Sequence, residues 1–69
     1  MQITVNGKPT DSSDNIRVTQ LLVEQEVQTP EYVSVELNGR ILERSEFETT
    51  EVHPGDVVEF LYFMGGGGL

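Results

Sequence analysis

Apolar and polar residues alternate from the first residue: Met1, Ile3 and Val5 are separated by Gln2 and Thr4, the period of two of a strand with one buried face. Asn6-Gly7 supplies turn chemistry with positive φ, so Lys8 to Thr10 can return as a short second strand. Asp11 to Asn15 is a polar stretch of residues that start turns and helices. From Val18 the apolar positions become Val18, Leu21, Leu22 and Val27, close to the spacing of one helical face, which predicts a helix over Val18–Glu26 ending before Pro30. Two to three turns are too short to persist alone, so this stripe must pack on a sheet.

The second half returns to strand patterning. Tyr32, Val33, Val35 and Leu37 lead into Asn38-Gly39, a second turn signal, followed by Arg40, Ile41 and Leu42. Glu43 to Thr50 is polar except for Phe47, which predicts a loop or single helical turn anchored in the core by that ring. Pro54-Gly55-Asp56 is a turn, and Val57 to Met64 forms the strongest strand. Its nearly continuous apolar run predicts burial on both faces and a central place in the sheet. A last strand beside the first can run parallel to it, because the helix and middle strands supply the crossover. The expected class is α+β, a mixed four- to five-stranded sheet with one main helix across it, which is a β-grasp outline. The division expected is a body over residues 1–64 and a flexible glycine-rich tail over 65–69.

Composition narrows the function. A single small domain of 69 residues has little room for both a core and a catalytic cleft. It contains no cysteine, which removes disulfides, thiolate nucleophiles and cysteine zinc sites and suits a reducing compartment, so the expected location is cytoplasmic. Twelve carboxylates against Lys8, Arg17, Arg40 and Arg44 give a net charge of −8, which repels nucleic acid and anionic membranes. The charge fits a solvated surface or docking onto a basic partner. No apolar run approaches the roughly 20 residues of a membrane-spanning helix.

Side-chain chemistry is sparse. His53 is the sole histidine, so a metal site would rest on carboxylates, and none is expected. Ser12, Ser13, Ser34 and Ser45 would need His53 as a base in a chain without an evident oxyanion pocket, and no catalytic residue is expected. Arg40 and Arg44 fit local ion pairs or contact with an acidic partner. Tyr62 joins apolar area to a polar tip and is the expected interface residue if one sheet face is incompletely covered.

The ending FLYFMGGGGL raises the sharpest question. Gly65 to Gly68 cannot be a phosphate loop, since neither Gly-Lys-Ser/Thr nor a helix follows. At about 3.5 Å per residue the four glycines reach roughly 14 Å, a slender arm able to enter a slot where side chains would clash. On the glycines alone, that arm and a frayed terminus are both open readings.

Taken together, the β-grasp order, Pro54-Gly55-Asp56, the segment VSVELNGRILERSEF with Asn38, Arg44 and Phe47, and the ending GDVVEFLYFMGGGG resemble the bacterial ThiS and MoaD sulfur carriers, relatives of ubiquitin, with ThiS the closer. The resemblance covers the whole chain. It implies that the protein is a co-substrate and not an enzyme, and that it needs no cofactor of its own. A ThiF-like adenylating enzyme uses ATP to activate the terminal glycine carboxylate. The resulting thiocarboxylate donates sulfur within a ThiG-like thiazole synthase for thiamine. The reacting residue it implies is Gly67, or Gly66 or Gly68 depending on processing, with Gly65, Gly66 and Gly67 delivering it. Tyr62, Arg40 and Arg44 are the candidate partner contacts. Family members typically end at Gly-Gly, whereas Gly68 and Leu69 extend this chain, which introduces a tail-trimming metalloprotease as a further expected partner. Alternatives are a related carrier for cysteine, homocysteine or molybdopterin synthesis, and a ubiquitin-like protein modifier.

Overall fold

The structure is a computed structural model that describes residues 1–62, so Phe63, Met64 and the glycine segment lie outside the described residues. Seven strands and one α-helix follow in the order β1 (Gln2–Val5), β2 (Lys8–Asp11), β3 (Ile16–Arg17), α1 (Val18–Glu24), β4 (Val33–Leu37), β5 (Arg40–Ile41), β6 (Glu51–Val52) and β7 (Val57–Tyr62). Short 3₁₀ turns occupy Pro30–Tyr32 and Arg44–Glu46. Five strands form one sheet in the order β2-β1-β7-β4-β5, with β7 central, parallel to β1 and antiparallel to β4. The mixed sheet with one helix across it is the expected β-grasp.

Helix α1 packs Val18, Leu21 and Leu22 onto the sheet, where Ile3, Val5, Val33, Val35 and Val58 meet them. Its first amides are satisfied from the distant loop: Val18 N donates to Thr50 O and Thr19 N to Phe47 O, each at 3.1 Å. Phe47, only 5% exposed, seats that loop in the core, as its isolation among polar neighbours predicts.

Two expectations are corrected and one element is added. The helix stops at Glu24, two residues early, because Glu26 adopts a left-handed conformation (φ +56°). There Glu26 N bonds to Val23 O and Val27 N to Leu22 O, each at 3.0 Å, closing a Schellman turn that usually carries Gly at this position. A second, two-stranded sheet, for which the sequence offers no signal, pairs Ile16 with Val52 and Arg17 with Glu51 just beyond the two polar stretches. Finally, β7 is central but not buried on both faces: Val57 is 45% exposed and Glu59 is exposed, whereas Val58 is buried. One helix covers only one side of a sheet, and among the described residues the other side is left open at Val57, Glu59 and Ile41.

Candidate functional site

Only Phe63 and Met64 separate β7 from the glycine segment in the sequence, so the site is built around this strand. Two Asn-Gly turns brace this strand from opposite edges. Asn6 and Asn38 share a φ of +51°, and Gly7 and Gly39 follow with φ of +82° and +87°. Asn tolerates the left-handed region and carries a short side chain that reaches nearby backbone. On one edge, the Asn6 amide donates to Val58 O at 2.9 Å, and its Oδ1 accepts from Phe60 N at 2.8 Å. On the other, Asn38 Oδ1 accepts from Val57 N at 2.9 Å, and its Nδ2 donates to Asp56 Oδ1 at 3.0 Å.

Coverage of the two edges is unequal. β4 pairs with β7 from Leu37↔Val58 through Val33↔Tyr62. β1 pairs only through Thr4↔Val57 and Val5↔Val58, so the C-terminal half of β7 extends past it.

Alternation separates the faces. Val58, Phe60 and Tyr62 share the helix side; Val57, Glu59 and Leu61 share the open side. Register places Thr4, Ser34, Glu36 and Ile41 on that open side too. The exposed apolar residues Val57 and Ile41 (51% exposed) therefore lie on one uncovered face with the half-buried Leu61. Glu36 and Glu59 stand directly opposite each other among them, a like-charge pair that disfavours the isolated sheet. This apolar face with an acidic centre suits a partner surface that is apolar and basic.

The residues singled out in the sequence distribute differently. Tyr62, 44% exposed, sits at the rim of the helix side, where its hydroxyl donates to Gln28 O at 3.3 Å; the uncovered face is formed by Val57, Leu61 and Ile41 instead. The sequence signal for that face was the single Glu59 interrupting an apolar run. Arg40 forms an exposed ion pair with Glu46 at 2.9 Å. Hydrogen bonding from Arg40, helped by the Glu43 amide, holds the Glu46 carboxyl below its ordinary range, and the same bond raises the guanidinium. Arg44 donates to Val33 O at 2.6 Å and lies 5.1 Å from the Phe47 ring centroid, which fixes it against the body. The two arginines thus make local contacts and do not form a free basic pair.

Ser12 is buried with its hydroxyl donating to Ser13 O, and the Ser13 hydroxyl bonds to Glu24. Among the described residues no serine bonds to His53, whose imidazole lies 3.6 Å from Glu51 and 4.0 Å from Asp56 while its backbone N–H donates to Asp56 Oδ2 at 2.8 Å. No group of three metal-ligating side chains occurs among the described residues. Gly65, Gly66, Gly67 and Gly68 lie outside those residues.

Comparison with known proteins joins this geometry to a family. The ThiS family model matches residues 3–67. The crystal structure of thiamine biosynthesis protein ThiS from Geobacter metallireducens is 56% identical, with a TM-score of 0.88 over 97% of this chain and 100% of that one. An NMR solution structure of a thiamine biosynthesis protein from the same organism, also 56% identical, gives 0.78 over 100% of this chain and 91% of that one. No curated protein sequence matches the chain.

Proposed function

The chain belongs to the ThiS family, and on that premise we propose that it is a sulfur carrier of thiamine biosynthesis whose reacting group is the carboxylate of Gly67. The observation that carries the residue assignment is the extent of the family match, which ends at Gly67 and leaves Gly68 and Leu69 beyond it. A carboxylate is a poor acyl donor. A ThiF-like enzyme overcomes this by letting the carboxylate attack the α-phosphorus of ATP, which releases pyrophosphate and forms an acyl adenylate. A sulfide equivalent from the sulfur donor then displaces AMP and leaves a thiocarboxylate. Its soft, ionised sulfur is the nucleophile used in a ThiG-like thiazole synthase.

Division of labour follows from the fold. The body offers the open face of Val57, Leu61, Ile41, Glu36 and Glu59 for recognition, and Gly65 to Gly67 carry the carboxylate into a slot that admits only backbone. Catalytic groups and ATP belong to the partners, and ATP-dependent activation points to the cytoplasm. Leu69 would bring a branched side chain to the reacting end, so a peptidase removes Gly68 and Leu69 before activation.

Intact mass spectrometry tests both steps. Protein from its native cells has the mass of a chain ending at Gly67, and incubation with the activating enzyme, ATP and a sulfur donor exchanges one oxygen for sulfur. A thiocarboxylated chain that retains Leu69 refutes trimming. A folded sample ending at Gly67 that never exchanges refutes the carrier role, and adducts on other proteins identify a modifier instead.

A further inference from the structure

We propose that Asn6 is a positioning residue for the C-terminal arm: its side chain sets how far the last strand is held along its β1 edge. The inference rests on the carrier reading, because a defined arm matters only if its end must reach a partner's active site. The supporting geometry lies on the β1 edge of β7. Backbone pairing there stops at Val5↔Val58, and Asn6 turns away into a left-handed conformation. Its amide still holds Val58 O, and its Oδ1 takes the place of the next main-chain acceptor by holding Phe60 N at 2.8 Å. Past Phe60, no described residue pairs with β7 on this edge. Among the described residues Asn6 is therefore the last tie to β7 on that edge, linking positions 54 residues apart in the chain.

The residue type suits the task. Gly accepts the same backbone conformation but offers no acceptor. Asn38 provides an internal control, since the same chemistry there holds Val57 N at the opposite end of the strand. Loss of the Asn6 side chain moves the last tie from Phe60 back to Val58, about 7 Å of strand at roughly 3.4 Å per residue. That stretch is then held by β4 alone.

The test compares Asn6→Gly, Asn38→Gly and Asn6→Asp in the full chain by amide hydrogen exchange. Asn6→Gly accelerates exchange at Phe60 by about tenfold beyond any global change. Asn38→Gly does so at Val57 instead, and Asn6→Asp, which keeps an oxygen acceptor, retains protection at Phe60. In ATP–pyrophosphate exchange with the activating enzyme, on the C-terminal form that it accepts, Asn6→Gly raises KM about threefold or more with kcat within about twofold. Asn38→Gly raises KM less than Asn6→Gly does. Unaltered protection at Phe60, or equal kinetic effects of the two glycine variants, overturns the assignment. If even the unsubstituted protein supports no pyrophosphate exchange, the carrier reading fails, and the amide comparison still decides whether Asn6 holds the β1 edge of the strand at Phe60.

Discussion

Replacing Phe47 by alanine tests how the loop after β5 is tied to the rest of the molecule. Phe47 is 5% exposed and belongs to the same core cluster as Leu21, Leu22, Leu42 and Val52. Truncation of a buried Phe to Ala typically costs about 3–5 kcal/mol. The ring also faces the Arg44 guanidinium, worth about 0.5–1 kcal/mol at an exposed site. In addition, the loop carries the Phe47 and Thr50 carbonyls that accept the first amides of α1, so loosening it uncaps the helix. A domain of this length has a total stability of roughly 3–10 kcal/mol, and Phe47→Ala removes at least about a third of it. At about 4–8 °C per kcal/mol, the expected fall in Tm exceeds roughly 12 °C. Urea and thermal unfolding followed by far-UV circular dichroism measure it, with Phe47→Leu as the volume-sparing comparison, expected below about 1.5 kcal/mol. A loss under about 1 kcal/mol for Phe47→Ala would refute the anchor.

Two further outcomes follow from local geometry. Glu26 holds the left-handed position of the Schellman turn, so Glu26→Gly relieves backbone strain and raises stability by about 0.5–1 kcal/mol in urea titration; an unchanged or lower midpoint refutes strain at this site. Glu46 has its folded-state pKa depressed from 4.5 by the Arg40 hydrogen bond, so its contribution is present above that ordinary value and lost as pH falls through the lower folded value. Between roughly pH 5 and 3, stability of the unsubstituted protein falls more steeply with acid than that of Glu46→Gln, by a small amount because the pair is exposed. Parallel unfolding midpoints across that range would contradict the assignment.

Much of the fold is legible where one local signal dominates. Alternation marks β1, the two Asn-Gly pairs mark their turns, and the apolar run of β7 fixes its central place. Failures occur where structure depends on distant partners. Ile16 and Val52 are lone apolar residues in polar surroundings, and only their pairing makes them strands. Glu26 ends the helix without the glycine that would announce it. The apolar run of β7 was legible as central but misleading about burial, because the number of helices, and not strand composition, decides how many faces are covered. Arg44 read as a candidate contact, yet its position is set by Val33 O and Phe47, which no spacing in the sequence reveals.

The same misreading of β7 exposes the logic of the site. A strand buried on both faces would maximise stability, and Glu59 opposite Glu36, beside Val57, Leu61 and Ile41, works against it. That cost falls on the strand that is best secured by other means, between two neighbours and with an asparagine bond at each end. Stability and recognition are thus separated across one sheet. The helix side holds the core through Val58 and the partly buried Phe60, while Val57, Leu61 and the two carboxylates lie on the open side, where the proposed partner would dock. A partner that neutralises Glu36 and Glu59 would relieve their repulsion as it covers Val57 and Ile41. Docking on this face would engage the same strand that carries the glycine arm, so recognition of the body and delivery of its terminal carboxylate become parts of one binding event.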